Sequence, residues 1–462
     1  MPPHRYPFLL PLLMLAGTLT LSLWFPFLRH AEQLGDVRSF APSWEAGLAY
    51  AALFGGLFGL YVRAAQVVHR GEWRLSWQTA LLWTALLGLP LIVTYPINAI
   101  DVFNYFWHGR LLVHYGANPF VVSPAAFPGD PYLPLMGEWA DTTTPYGPVW
   151  VLVSAAVYWA SRGQVALGLV LFKALGLAAH LATGYLIWRL AEDRAPNERL
   201  AGLLLWLWNP AVLFMFVIDA HNDGLMLFWL MLGAWLIRQR RPVLGLIGMT
   251  LAPLTKLIGL LALPFWGIYT WRQQPTWQQR LKLTLLAAIG MGGVATLLFL
   301  PFGSPIPLLQ RLLSESQEGG SFSPVVWVIL AGRAVGWTPP AAAIVRAASW
   351  LLLGGALGLV VLAWRGRGVW RNSADIFALY LLTAFRFRIW YPTWLLPWLI
   401  LDDEHPQRLP AGLGLLFTSQ LSVIFYGHLR VAWLGGDSTL AHLIGVPLVF
   451  AGPLWLWLRR PQ

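Results

Sequence analysis

The residues suited to chemistry are few, and they sit where long apolar runs end. Asp101 falls in Asn98-Ala-Ile-Asp-Val-Phe-Asn-Tyr-Phe-Trp-His-Gly-Arg110, directly behind such a run. A carboxylate at the edge of hydrocarbon is partly desolvated, which raises its basicity. That suits a general base taking the proton of a hydroxyl acceptor. The same position also suits an N-cap for the amphipathic segment that follows, with Val102, Phe103, Phe106 and Trp107 apolar. Spacing alone leaves both readings open. Asp141, in Trp139-Ala-Asp-Thr-Thr-Thr-Pro145, is either a second catalytic acid or part of the helix start marked by Thr144 and Pro145.

Two further groups stand out. Asp219-Ala-His-Asn-Asp223 places four polar residues in five beside Phe216, Val217 and Leu225. Such a cluster is costly at a membrane surface unless it is used. His221, Asn222 and Asp223 could bind sugar hydroxyls, or His221 and Asp223 a metal; the alternative is a capping cluster for a helix starting at Gly224. Phe385-Arg-Phe-Arg-Ile-Trp-Tyr-Pro392 sets Arg386 and Arg388 in an apolar break. Guanidinium groups hold phosphate oxygens bidentately, and Lys256 could add a point charge from another break. Snorkelling to lipid headgroups is the rival reading. Lys173 is also intramembrane and has no assigned role.

The elements that must carry these residues are membrane helices. Hydrophobic residues make up 57% of the 462-residue chain and charged residues 11%, too few to cover a soluble surface. Runs at 6–28, 46–68, 77–97, 281–300 and 341–363 have the length that crosses hydrocarbon. The expected fold is an all-α polytopic bundle of about 12–14 transmembrane helices, forming a single domain over 1–462. The 28 Trp residues suit interfacial belts. The net charge of +11 is scattered between apolar runs, which points to cytoplasmic loops and anionic headgroups and away from nucleic acid. With no Cys, disulfides, thiolate metal sites and a Cys nucleophile are excluded. The first apolar run continues past Leu21 without a cleavage pattern, so it is expected to stay as a membrane helix.

Basic connectors at 63–74, 189–199, 238–241, 272–282, 365–371 and 459–460 should be cytoplasmic. The long loop 98–145 holds Arg110 as its only Lys or Arg, against Asp101, Asp130, Glu138 and Asp141, and should face outward. The stretch 146–159 is expected to be interfacial or partly buried, with one crossing after Gln164. Broken helices are expected in 242–271, at 253–256, and in 375–401, at 386–390; such breaks are tolerated only where they line a cavity in the protein.

In order and spacing, Asp101-Val-Phe-Asn-Tyr105, Gly116-Ala-Asn-Pro-Phe120, Pro145-Tyr-Gly-Pro148, Asn209-Pro210, His221-Asn-Asp223 and Trp390-Tyr391 resemble the GT-C superfamily of membrane glycosyltransferases. Bacterial polyprenyl-phosphate-mannose-dependent mannosyltransferases are the nearest in pattern. The resemblance implies a catalytic acid in the first external loop, at Asp101, and a lipid-phosphate sugar donor. It also implies inversion at the anomeric carbon, and it sets Tyr146 and Tyr391 among the substrate-binding residues. The expected activity is transfer of a hexose, mannose by resemblance, from polyprenyl phosphate to a glycan or glycolipid hydroxyl outside the plasma membrane. No cofactor is required by this scheme, because Arg386, Arg388 and Lys256 can supply positive charge; dependence on a divalent metal is left open. The rival class is a transporter or flippase for a lipid-linked or anionic solute.

Overall fold

The computed structural model describes residues 8–27, 43–315, 321–338 and 340–459. The two ends of the expected helix at 6–28, and Arg460 of the terminal basic pair, lie outside the described residues. Among the described residues the regular elements are all helical, with two isolated bridges and no strands. Helices satisfy their own backbone polar groups, which hydrocarbon cannot do for them.

Helices α1 (Leu9–Trp24), α2 (Trp44–His69) and α3 (Trp77–Ile92) precede the long loop. That loop is itself structured. It opens as α4 (Asp101–Val113), passes through 3-10 turns at Pro124–Ala126 and Leu133–Trp139, and ends at α5 (Pro148–Ala160). Then come α6 (Val165–Leu190), α7 (Pro196–Leu207) and α8 (Pro210–Leu213), the last running into a π-helical turn at Phe214–Ile218. Next are α9 (Asp223–Arg238), α10 (Pro242–Thr255), a 3-10 turn at Leu257–Ala262, α11 (Leu263–Arg272), α12 (Trp277–Phe299) and α13 (Ile306–Glu315). The remainder is α14 (Pro324–Ala334), α15 (Ala341–Trp364), α16 (Val369–Thr383), α17 (Leu396–Leu401), α18 (Leu409–Val423), α19 (Arg430–Ala432) and α20 (Ser438–Leu458).

Six of these stretches are long and apolar enough to cross a bilayer, and a seventh forms if Pro196–Leu207 and Pro210–Ile218, bent by 41°, count as one span. Shorter apolar helices such as Leu9–Trp24, Trp77–Ile92 and Pro242–Thr255 add to them. The expectation of 12–14 counts short and broken helices of this kind as spans. In α12 and α15 only 11% of the apolar window is buried, and Ile289, Leu297, Trp350 and Leu351 point outward. Such bare apolar flanks belong against lipid.

The chain forms two compact units. The first takes in 8–27, Arg63–Trp208 and Leu213–Leu313; the second takes in 43–62, Asn209–Val212 and the described residues after Leu313. Within the first unit, Arg110 pins the long loop to itself. Its Nε donates to Asp130 at 2.6 Å and its Nη1 to the Tyr158 hydroxyl at 2.7 Å. The rings of Trp107, Tyr115, Tyr132 and Tyr158 surround the guanidinium, all with centroids within 6.0 Å. The loop's single basic residue is thus an internal brace, neutralised where it stands.

Both expected helix breaks are present. Lys256, extended at φ −149° and ψ 121°, separates α10 from the 3-10 turn before α11. Residues 384–390 separate α16 from the turn leading into α17. Helix α5 is too short to count with the long spans, and α6 supplies the crossing expected after Gln164.

Candidate active site

The site is assembled by a helical hairpin. α9 and α10 are joined by a turn of three residues and pack backbone to backbone: a Cβ on Gly245 would overlap the Gly233 carbonyl and Ile237. Small residues permit such close packing between membrane helices. The antiparallel arrangement brings the start of α9 beside the end of α10. Asp223, in the first turn of α9, therefore meets Lys256, just past the last turn of α10, and each charge has the sign its helix end favours. Lys256 Nζ donates to both Asp223 oxygens, at 3.0 and 2.8 Å.

His221 extends this pair towards the loop. Its Nδ1 lies 4.0 Å from Asp223 Oδ2 and 3.7 Å from Asp101 Oδ2, longer than hydrogen bonds, with the ring buried between the two carboxylates. Asp101 and Lys256 are the partly accessible ends of this row of side chains, 16% and 17% exposed, while His221 and Asp223 are buried. Asp101 is not an N-cap. Ile100 holds that position in α4, without a side-chain cap, and Asp101 is the first helical residue. Nor is the 219–223 cluster a cap through Asn222, whose side chain makes no capping bond to α9. With both Asp223 oxygens on Lys256, His221 and Asp223 do not present a metal ligand pair in this conformation.

The approach to Asp101 is held by Asp219, from the 219–223 cluster, and by Lys173, neither of them among the candidate site residues. Asp219 Oδ1 accepts the backbone N–H groups of Ile97 at 2.8 Å and Asn98 at 3.1 Å, three to four residues before Asp101. Lys173 from α6, an electrostatic neighbour of Asp219, donates to the Thr94 carbonyl. The end of α1 grips the same segment, with Tyr95 N–H donating to Phe25 O at 2.8 Å and Phe27 N–H to Val93 O at 3.0 Å. Lys173 thereby gains the role it lacked.

Asp219 and His221 point to different partners because the chain between them is unusual. A π-helical turn runs to Ile218, and Ala220 adopts φ +53°. π turns and left-handed non-glycine residues both carry strain and concentrate at functional sites. Here the pair turns the backbone so that Asp219 serves the 97–98 segment while His221 and Asp223 serve Asp101 and Lys256.

Tyr105 follows Asp101 by one helical turn, and its hydroxyl faces Asp101, Asp223, Tyr146 and the Asn222 backbone. The i, i+4 spacing within Asp101-Val-Phe-Asn-Tyr105 is the signal that could have singled it out. Tyr146 meets Tyr105 edge-on with ring centroids 5.1 Å apart. Behind Tyr146, Gly147 donates its N–H to Thr255 O at 3.0 Å, and a Cβ there would collide with the Leu254 carbonyl. The return of the loop is therefore docked onto the break that presents Lys256. The buried Asn222 side chain has neither amide atom hydrogen-bonded within the described residues.

The structure thus brings together Asp101, Tyr146, His221, Asn222, Asp223 and Lys256. Asp141 lies exposed in the loop before α5 and contributes none of these contacts. Arg386, Arg388 and Tyr391 belong to the second unit. There the 385–387 stretch is extended and pinned by Ser321 and Ser323, whose hydroxyls donate to Phe387 O at 3.1 Å and Phe385 O at 2.9 Å. In an extended chain alternate residues share a face. Arg386 and Arg388 are half-buried on one side, and Phe387 between them is buried on the other. Tyr391 stacks on Trp394 at 4.2 Å. In the same unit Asn209 caps its own helix, Oδ1 accepting from Ala211 N–H at 3.0 Å, and donates Nδ2 to the Tyr61 hydroxyl at 3.2 Å.

A profile of the family described as "Alpha-(1->6)-mannopyranosyltransferase, N-terminal domain" matches residues 12–272, more than half of the chain and every residue of the Asp101–Lys256 cluster. The chain belongs to this family. The alpha-(1->6)-mannopyranosyltransferase A of Corynebacterium glutamicum is 31% identical over 179 residues, 38% of this chain and 36% of the relative. The alpha-(1->6)-mannopyranosyltransferase A of Mycobacterium tuberculosis is 32% identical over 190 residues, 40% of this chain and 35% of the relative. The B protein of C. glutamicum is 25% identical over 149 residues, 31% and 24% of the two chains. The chain matches about a third or less of each relative's length. Family membership bears out the GT-C resemblance drawn from the ordered motifs. The family match ends at Arg272, the end of α11, so Arg386, Arg388 and Tyr391 lie beyond it.

Proposed function

We propose that this protein transfers mannose from a polyprenyl-phosphate donor to a hydroxyl of a glycan or glycolipid on the outer face of the plasma membrane. The observation that supports the reading is the partly exposed Asp101 carboxylate at the end of a row of side chains, His221, Asp223 and Lys256, of which His221 and Asp223 are buried. Asp223 is already neutralised by Lys256, so the proton acceptor at the open end is Asp101. As the acceptor oxygen attacks the anomeric carbon, Asp101 takes its proton. The bond from that carbon to the phosphate oxygen breaks on the opposite side, and the configuration inverts. Polyprenyl phosphate leaves with the electron pair.

His221, held between two carboxylates, orients Asp101. The Asn222 amide is assigned to sugar hydroxyls and the Tyr146 ring to the sugar face. Lys256 is assigned to the donor phosphate, where positive charge stabilises the leaving group; within the second unit, Arg386 and Arg388 are offered as phosphate-binding residues and Tyr391 as a substrate-binding one. This scheme routes no step through a metal. Family membership weighs against the transporter reading, which the broken helices alone would allow.

The test is incubation of purified protein with labelled polyprenyl-phosphate mannose and a panel of hydroxyl acceptors. Labelled product supports the reading. Absence of transfer to every acceptor, together with uptake of a lipid-linked or anionic solute into proteoliposomes, would sink it.

A further inference from the structure

Helix α17 ends at Leu401, and Asp402-Asp-Glu-His405 makes the turn to the next 3-10 element, Pro406–Arg408. Asp402 is only 4% exposed. Its Oδ2 is buried and, among the described residues, receives no hydrogen bond; the buried Nδ1 of His405 likewise has no hydrogen-bond partner. The two side chains face each other, with Nδ1 3.8 Å from Asp402 Oδ1, too far for a hydrogen bond. The Glu404 carboxylate completes the group, with one ligand atom from each of the three residues lying within 4.8 Å of the others. A buried carboxylate oxygen without a donor is costly, and a bound ion is one of the ways to account for it.

We propose that Asp402, Glu404 and His405 form a binding site for a divalent transition-metal ion of the Zn²⁺ class, separate from the transfer site and independent of its chemistry. One imidazole nitrogen and two carboxylate oxygens suit a borderline ion; Mg²⁺ and Ca²⁺ prefer all-oxygen shells. Donors on a tetrahedral sphere of roughly 2.1 Å radius stand about 3.4 Å apart. The three donor atoms, within 4.8 Å of one another, are set wider than that, so a bound ion would draw them together. Two guanidinium groups face Asp402, those of Arg371 and Arg408, and act against a cation. Arg408 is largely committed elsewhere, since it and Arg367 both donate to Asp375. Arg371 is the opposing charge that matters. The ion would fasten the turn between α17 and α18, so its effect is on stability.

The experiment uses tag-free, chelator-stripped protein in detergent at neutral pH, titrated with Zn²⁺, and with Co²⁺ to read ligand-field absorption. The wild type is expected to take up one tight equivalent and to gain thermal stability. Asp402→Asn and His405→Ala should each lose at least about tenfold in affinity, together with the Tm gain. Arg371→Gln should bind more tightly than wild type. Three results would each overturn the proposal: no uptake by the wild type; equal uptake and equal Tm gain in Asp402→Asn and His405→Ala; or weaker binding by Arg371→Gln, which would make Arg371 the required partner of Asp402.

Discussion

At Asp101 the two roles that spacing left open make opposite demands on an amide. Asn caps a helix about as well as Asp, so a capping Asp101 would tolerate the change. A general base would not, because an amide of the same shape cannot accept the proton. Asp101→Asn is expected to keep the fold and donor binding while losing transfer by about 10²–10⁴-fold, measured as turnover at saturating donor. Asp141→Asn run beside it is expected to be active. The reverse pattern would move the base to the far end of the loop. What was legible here was the cost of polarity: Asp101, His221, Asn222, Asp223 and Lys256 stand out because each is expensive in an apolar setting. Asp219 and Lys173 were equally visible but remained uninterpreted, because their partners are backbone groups of the 94–98 segment and a main-chain partner leaves no mark in sequence.

At the scale of elements, the left-handed Ala220 is the sharpest constraint. A methyl side chain in that conformation costs about 1–2 kcal/mol, and a β-branched one more. Ala220→Gly is expected to leave Tm nearly unchanged, the relief of strain offsetting the extra freedom of the unfolded chain. Ala220→Val should lower Tm and transfer together. Equal behaviour of the two variants would mean that the backbone there does not need φ +53°. The broken helices were legible, since Pro253 and the 386–390 stretch interrupt apolar runs with charge. The π turn was not, because nothing in Phe214-Met-Phe-Val-Ile218 distinguishes it from ordinary helix.

The long loop carries a prediction in pH. Burial pushes the Asp130 carboxyl up, but the Tyr115 hydroxyl, the Tyr132 N–H and the Arg110 guanidinium together outweigh it and hold the pKa below the ordinary carboxylate range. A group depressed in the folded state contributes stability above its unfolded pKa and loses it as pH falls through the folded one. Hydrogen exchange in α4 and the 3-10 turns should therefore stay slow from neutral pH through the usual carboxylate range and quicken only below it. Asp130→Asn, which strands the Arg110 charge in a buried setting, should exchange fast already at neutral pH. Slow exchange in that variant would count against the brace.

At the scale of the whole molecule, charge predicts how the chain threads the bilayer. From the asymmetry of Lys and Arg, 98–145 is expected outside, and the burial of Arg110 against Asp130 neutralises the one charge that argues otherwise. Because the chain has no Cys, Ala126→Cys offers a single label site on the loop. An impermeant thiol reagent is expected to modify it in intact cells; modification only after the membrane is opened would place the site on the cytoplasmic side and remove the proposed acceptor face. Composition gave the membrane class directly, because 11% charge cannot coat a soluble protein of this size. The grouping into two compact units was not visible, since 43–62 and Asn209–Val212 join the second unit from far upstream in sequence.

The π turn has a consequence for how this stretch tolerates changes in length. Its five residues are apolar and buried, so exchanging one for another of similar volume is a packing matter of modest cost. Changing the count is a different kind of event. A π turn holds one residue more than the α-helical path it replaces, so deleting Val217 would let the helix close to ordinary register with the residues after it kept near their present facing. Inserting a residue has no such slack: everything downstream would turn by about 100° about the axis. Asp219 would swing away from Ile97 and Asn98, and His221 from Asp101. The segment thus absorbs a loss and not a gain. Point substitutions across 214–218 and single-residue deletions there should leave much of the activity, while every single-residue insertion in the same window should be inactive, with the protein still inserted in the membrane.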